Sequence, residues 1–103
     1  MRVFVVLCTV PPDGAEAMAR SLVEGRLSAC VNIIPSVSSF YCWEGKLCDD
    51  HESLLVIKTT EARFPDLMDF IKAHHPYAVP EIIALSVSDG NPDYLRWVEE
   101  SVE

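Results

Sequence analysis

The residue types best suited to chemistry lie where a predicted helix meets a predicted strand: His74 and His75 stand directly before Pro76. Proline disfavours the helical conformation of the residue before it, so the two imidazoles need not diverge by the roughly 100° that separates neighbours on a helix. Imidazole nitrogen and cysteine thiolate are typical ligands of copper and zinc. If the fold brings Cys8 to this junction, then Cys8, His74 and His75 form a candidate metal site.

Two other interpretations of these residues stay open. Cys8 can be a buried thiol of the core, with the histidines at a helix C-terminus, where an imidazolium is favourable beside the helix dipole. A cysteine nucleophile with a histidine base is the weaker alternative, because no third orienting residue or oxyanion turn is recognisable near Cys8. We therefore predict no catalytic turnover.

Two further groups of polar side chains have possible functional character. The segment 49–52 (Asp-Asp-His-Glu) lies on a predicted strand, where alternation leaves at most two side chains on one face, and we interpret it as a solvated part of a hairpin. Glu81 enters a strand at the same end as Cys8. It is predicted to be either a buried anchor for loop amides or an acid at a ligand pocket.

Hydrophobic patterns predict the element order β-α-β-β-α-β-α. Strands are predicted at 2–10, 27–43, 47–60 and 82–87, and helices from 11–14 to Gly25, from 64 to the histidine pair, and after Asn91. Two βαβ units with an inserted strand form the ferredoxin-like split βαβ plan, an α+β fold. Right-handed crossovers order the strands four, one, three, two and bring Cys8 and the histidines to one end. The first strand is apolar on both alternating faces, which predicts cover on both sides.

The predicted hairpin of the second and third strands is about 30 residues long, far beyond the usual five or six residues per strand. Its tip carries Phe40, Tyr41 and Trp43, and Pro35 predicts a bend or bulge in an edge strand. An extended edge with exposed aromatic side chains favours pairing with another chain. We therefore expect a closed homo-oligomer; the alternative is a tip that folds back over its own sheet.

Composition limits the function classes. Residues 1–103 are enough for one domain, and 16 acidic against 8 basic side chains give a net charge of −8, which disfavours nucleic acid and anionic membrane surfaces as partners. No segment approaches transmembrane length. The four cysteines lack a Cys-x-x-Cys pair and no export signal is recognisable, so we expect a cytoplasmic protein with reduced thiols.

Several motifs, in the right order and over nearly the whole chain, resemble the CutA family of divalent-cation tolerance proteins. They are SACVN at 28–32, YCWEGK at 41–46, IKTT at 57–60, HPY at 75–77, VPEI at 79–82 and YLRW at 94–97. The resemblance implies a ferredoxin-like subunit, a tightly packed homotrimer and kinship with PII-type signalling proteins. It also implies copper binding through a cysteine of the first strand and the histidine pair before the proline, here Cys8, His74 and His75. No enzymatic reaction is firmly attached to the family, and its bacterial members are linked to metal tolerance.

The chain departs from the family pattern at Ser28 and Ala78, and it carries Cys42 and Cys48 as additional thiols that could form a second metal or oxidation site. The sequence thus predicts a cytoplasmic homotrimer that binds a divalent transition metal, copper first, and acts in metal tolerance. One alternative is a PII-like sensor that holds a small anion or metabolite near Glu81 and Trp43. The other is a trimer that docks onto a partner protein and binds metal incidentally.

Overall fold

The computed structural model describes residues 2–103, and its elements follow the predicted order. Met1, the first residue of the predicted 1–103 domain, lies outside the described residues. The elements are β1 (Val3–Val10), a 3₁₀ turn (Pro12–Gly14), α1 (Ala15–Glu24), β2 (Cys30–Trp43), β3 (Lys46–Thr60), α2 (Phe64–His74), β4 (Ile83–Ser86) and α3 (Pro92–Ser101). The α+β split βαβ prediction is confirmed. No helix within residues 2–103 is both long and apolar enough to cross a bilayer.

The four strands form one antiparallel sheet in the order β2-β3-β1-β4, which is the predicted order read from the other edge. β1 is central: it pairs with β3 from Val3 opposite Thr60 to Val10 opposite Ser53, and with β4 on its other side. In the β1–α1–β2 unit the two strands are separated by β3, and in the β3–α2–β4 unit they are separated by β1. Right-handed crossovers of the split βαβ plan require this arrangement.

One face of the sheet forms the main core. Val6, Cys8 and Val10 of β1 are buried there, together with Leu22 of α1 and Leu67 of α2. The apolar residues of both helices recur at helical spacing, so each helix presents one stripe to this face. Cys8 lies in this core at the end of the sheet where α2 ends.

The opposite face is only partly covered, chiefly at the end of the sheet where β1 begins. There α3 closes a second, smaller core of buried residues (Val3, Ala29, Val98 and Val102). Further along β1, Leu7 aligns with Val56 of β3 and Ile83 of β4, and in the neighbouring row Val5 aligns with Leu85, which is 53% exposed. We call this apolar surface the open face. The prediction that β1 is covered on both sides is therefore met in only part of a single chain, because α3 covers only the beginning of β1.

The connection from α1 to β2 differs from the prediction. β2 begins at Cys30 rather than at residue 27, because the amides of Leu27 and Ser28 donate back to the carbonyl of Leu22 and close the helix end. The left-handed residue of this ending is Arg26, with φ of 58°, whereas Gly25 has an ordinary φ of −81°. Gly25 thus ends the helix as predicted but is the C-cap itself.

The long hairpin is extended, as its sequence predicts. Glu44 and Gly45 form a two-residue turn with φ of 51° and 79°, the positive values that a type I′ turn needs. The register slips between Ile34 and Val37, so the bulge predicted at Pro35 is confirmed. The molecule is elongated and measures 44 × 25 × 22 Å.

Candidate functional site

The histidine pair is separated by the end of α2. His74 is its last residue, and His75 has φ of −87° and ψ of 137°, the extended conformation that Pro76 favours in the residue before it. As a result the two rings lie in different surroundings: His75 is only 8% exposed, whereas His74 lies on the surface.

Both ring nitrogens of His75 are engaged in hydrogen bonds. Nε2 lies 2.8 Å from the carbonyl oxygen of Thr9, which can only accept, so Nε2 carries the proton. The backbone N–H of Tyr77 donates to Nδ1 at 3.1 Å. The single lone pair of this neutral imidazole is therefore occupied, and His75 fastens the loop after α2 to the end of β1.

His74 keeps a nitrogen available. Its Nδ1 lies 2.9 Å from the carbonyl oxygen of Phe70, so this nitrogen donates, and the ring stacks on Phe70 with centroids 4.1 Å apart. The lone pair is then on Nε2, at the surface. Of the two adjacent histidines, His74 is the one that can bind a metal ion without losing a hydrogen bond.

Cys8 is a core residue with no exposed surface. Burial raises the pKa of its thiol to about 12, and the negative charges of Glu81 and Glu52 add to this increase. The thiolate, not the thiol, is the metal ligand and the nucleophile, so Cys8 is in the unreactive form at neutral pH.

The fold therefore brings Cys8 and His75 to one end of the sheet, since His75 binds the carbonyl of the residue after Cys8. It does not assemble them with His74 into a ready metal site: within residues 2–103, no three His, Cys, Asp or Glu side chains are placed to hold a metal ion. The protonated thiol and the occupied lone pair of His75 do not fit a bound copper ion in this conformation. Ligation by these three residues stays a prediction.

A cleft of about 690 Å³ lies beside this region, between the hairpin and the loop that follows α2. The hairpin contributes Tyr41, Trp43 and Glu52 to its lining, and the loop contributes Tyr77 and Glu81. Glu81 is exposed at this cleft, which agrees with an acid at a ligand pocket and not with a buried anchor. Neither Glu52 nor Tyr77 is a predicted site residue: Glu52 lies in the segment interpreted as solvated, and Tyr77 belongs only to the HPY motif of the family resemblance.

The interpretation of residues 49–52 as a solvated segment is wrong for Glu52. Its side chain is only 5% exposed and accepts a hydrogen bond from the Tyr77 hydroxyl at 3.1 Å. The reason is the bulge, which places Val37 opposite Glu52 on the long hairpin, together with the loop after α2, which covers that position. Burial and the Glu52 carboxylate raise the pKa of Tyr77 to about 12, so this phenol keeps its proton.

The two additional thiols of the hairpin lie on opposite faces. Cys42 is aligned with Leu47 and Cys48 with Tyr41, and consecutive cross-strand pairs point to alternate sides of a sheet. They therefore cannot hold one ion within a single chain. All four cysteines of the chain are free thiols.

Thiol labelling should distinguish these environments. With a thiol reagent at neutral pH, exposed Cys42 is expected to react within the first rapid phase, while Cys8 reacts only after unfolding, because it is fully buried and protonated. The measurement is the number of thiols labelled before and after guanidinium is added. Cys42→Ser should remove one rapid thiol and Cys8→Ser none; a rapid thiol lost in Cys8→Ser would contradict the buried position of Cys8.

Residues 4–101 match the family model described as CutA1 divalent ion tolerance protein. The chain belongs to this CutA family, and the resemblance predicted from its motifs is confirmed. It is 51% identical to the divalent-cation tolerance protein CutA of Thermus thermophilus over 98 residues, which cover 94% of this chain and 95% of that protein. Mouse protein CutA is 49% identical over 89 residues, 86% of this chain but 50% of the mouse protein, so the chain spans about half the length of that relative.

Solved CutA structures share the fold. The crystal structure of CutA1 from Oryza sativa superposes with a TM-score of 0.97 at 43% identity, covering 100% of this chain and 95% of that one. A structure described as the PII-like protein CutA from Nostoc, in apo form, gives a TM-score of 0.91 at 31% identity and covers 100% of this chain and 98% of that one. The CutA subunit architecture therefore extends over the whole described chain.

Proposed function

We propose that the protein is a homotrimer that binds divalent transition metal ions, copper among them, and acts in metal-ion tolerance without catalytic turnover. The observation that carries this proposal is the CutA family match over residues 4–101. The net charge of −8 is consistent with it, because an acidic surface raises the local concentration of cations.

The open face supports the oligomer. A row of apolar side chains at the centre of the sheet, including Leu7 and Val56, is only partly covered within one chain, and β2 leaves one long edge unpaired. Contiguous apolar surface and free strand edges both favour association with another chain. A closed symmetric ring buries them in every subunit, and three subunits follow the family resemblance.

The metal is proposed to bind at the end of the subunit where α2 stops. His74 supplies the accessible nitrogen. Cys8 and His75 would join it only after the thiol loses its proton and His75 gives up the amide of Tyr77. Sulfur and imidazole ligands would favour copper or zinc over magnesium or calcium.

Copper titration against a competing chelator tests this assignment. His74→Ala is expected to weaken binding about tenfold or more, and affinity should rise with pH because the ligands must lose protons to bind. Cys8→Ser and His75→Ala test the other two ligands, and His51→Ala, an exposed histidine of β3, is the matched control. Unchanged affinity in all three site variants would reject the site. If only His74→Ala weakened binding, copper would bind to the exposed His74 imidazole alone, and Cys8 and His75 would not be ligands.

A second candidate function is supported by the cleft. A small-molecule sensor needs a concave, partly apolar pocket, and small-molecule sites typically occupy about 300–1,000 Å³. The cleft of about 690 Å³ is within this range. We propose that it holds a small organic ligand, in addition to any metal bound elsewhere.

The cytoplasm is proposed as the compartment. All four cysteines are free, and Cys42 is exposed. Exposed free thiols persist where glutathione and thioredoxin keep them reduced.

A further inference from the structure

We propose that the ligand of the cleft is an organic cation, namely an ammonium group carried on an apolar body. This inference rests on the second proposed function, the cleft as a small-molecule site. The PII-like alternative stated from the sequence was a small anion or metabolite near Glu81 and Trp43, and this inference specifies a positively charged organic ligand instead.

The charge of the cleft lining favours a cation. Its titratable side chains include the carboxylates Glu52 and Glu81, and no described residue of the lining is Lys, Arg or His. The field of these two carboxylates reaches the core behind the cleft, where both contribute to the raised pKa of Cys8. An anionic ligand would meet the repulsion of both carboxylates without a compensating positive charge among the described lining residues.

The aromatic side chains add a specific attraction. Phe40, Tyr41, Trp43 and Tyr77 all contribute to the lining. Trp43 is 50% exposed in a single chain, so its ring can face a ligand wherever a second copy of the chain does not cover it. An ammonium group over the face of Trp or Tyr is attracted by the ring quadrupole, and a carboxylate gains nothing comparable.

Hydrogen bonds within the cleft lead to the same ligand class. The Tyr77 hydroxyl donates to Glu52 and the Tyr41 hydroxyl donates to Asp50, so both phenol protons are already used by the protein. The hydrogen bond to Asp50 raises the pKa of Tyr41, which keeps that proton in place. The side-chain donors left in the lining are the hydroxyls of Thr9 and Ser39 and the indole N–H of Trp43. The two carboxylates still offer acceptor positions, which suit a ligand that brings N–H donors and a positive charge.

Glu52 can accept a further hydrogen bond from such a ligand. It is almost fully buried, and the Tyr77 hydroxyl satisfies only part of the acceptor capacity of a carboxylate. A cation in the cleft would therefore find a nearly buried carboxylate with acceptor capacity left over, to which a charge-assisted hydrogen bond is strong. A bare metal ion suits the space less well, since no three metal-ligating side chains converge among residues 2–103 and the cleft is far larger than one ion.

The test uses three matched probes on the full chain, followed by NMR of the two tryptophan indole N–H signals. The probes are phenethylammonium, phenethyl alcohol and phenylacetate, which share an aromatic body and differ in charge. We expect phenethylammonium to shift the Trp43 signal, with an affinity at least about tenfold above that for the alcohol, while the Trp97 signal on α3 stays in place. Glu52→Gln and the exposed Glu81→Gln should each weaken binding of the cation about fivefold or more, and Glu100→Gln is the control.

The outcomes are distinguishable. Equal affinity for the three probes, or preference for phenylacetate, would overturn the inference and leave the cleft standing as a small-molecule site. No movement of the Trp43 signal with any probe up to about 10 mM would overturn both. If Trp43→Ala also lowers the molecular mass in solution, a second copy of the chain fills the cleft, and the inference is overturned in favour of a subunit contact.

Discussion

Leu85→Asp is expected to convert the proposed trimer into single chains. Leu85 lies on β4, is 53% exposed in a single chain and belongs to the open face. The substitution is compatible with the isolated subunit because the side chain is not part of its core. In a symmetric assembly, however, the substitution would bury one unpaired carboxylate per subunit. Each such buried charge costs about 3–5 kcal/mol of association free energy. The measurement is molecular mass by light scattering.

Val23→Asp is the matched control for that experiment. Val23 is an apolar residue with similar exposure, 42%, but it lies on α1, which covers the other face of the sheet. Its mass should remain that of the native assembly. If Leu85→Asp kept the native mass, or if Val23→Asp alone dissociated the protein, the open face would not be the subunit contact.

Leu55→Ala is expected to cause the largest loss of stability within the subunit. Leu55 is fully buried on β3, directly opposite Cys8, and belongs to the core beneath both helices. Removing its side chain atoms should lower the free energy of unfolding by about 2–5 kcal/mol, since both transfer energy and a cavity are involved. That is a large share of the roughly 5–15 kcal/mol that stabilises a typical domain. Guanidinium unfolding at one fixed chain concentration measures it.

Leu47→Ala is the control on the same strand. Leu47 is 79% exposed at the hairpin tip, so its truncation should change the free energy of unfolding by less than about 0.5 kcal/mol. Equal losses in Leu47→Ala and Leu55→Ala would mean that burial within the subunit does not govern stability, and would contradict the assigned core.

The order of elements and of strands was predictable because it depends on local signals and on handedness. Pro76 ends α2 by its effect on the preceding residue, and the Asn91 side chain caps α3 by accepting from the amide of Asp93. Given these elements, right-handed crossovers leave essentially one strand order, which is the one observed. The bulge at Pro35 was also predictable, since proline cannot donate to the ladder.

The site was predictable only as a location. The topology brings Cys8 and His75 to one end of the sheet, as expected. The protonation and the hydrogen bonds of these two side chains were not predictable. The Nε2–H of His75 donates a hydrogen bond to the carbonyl oxygen of Thr9, a residue 66 positions earlier. Likewise, Glu52 is buried by Tyr77, which lies 25 positions later. Such partners follow from the packing of a loop on a hairpin, and no local pattern encodes them.

The sequence by itself therefore determined the family, the fold and the end of the subunit where function is expected, because short-range propensities, chain handedness and family motifs can all be read along one dimension. Only the tertiary structure decided which groups are chemically available there. Burial keeps the Cys8 thiol protonated, and hydrogen bonds engage both ring nitrogens of His75. The carboxylates and aromatic rings of the cleft lining border one common space. These properties depend on the distances between residues far apart in the chain, and those distances exist only once the chain has folded.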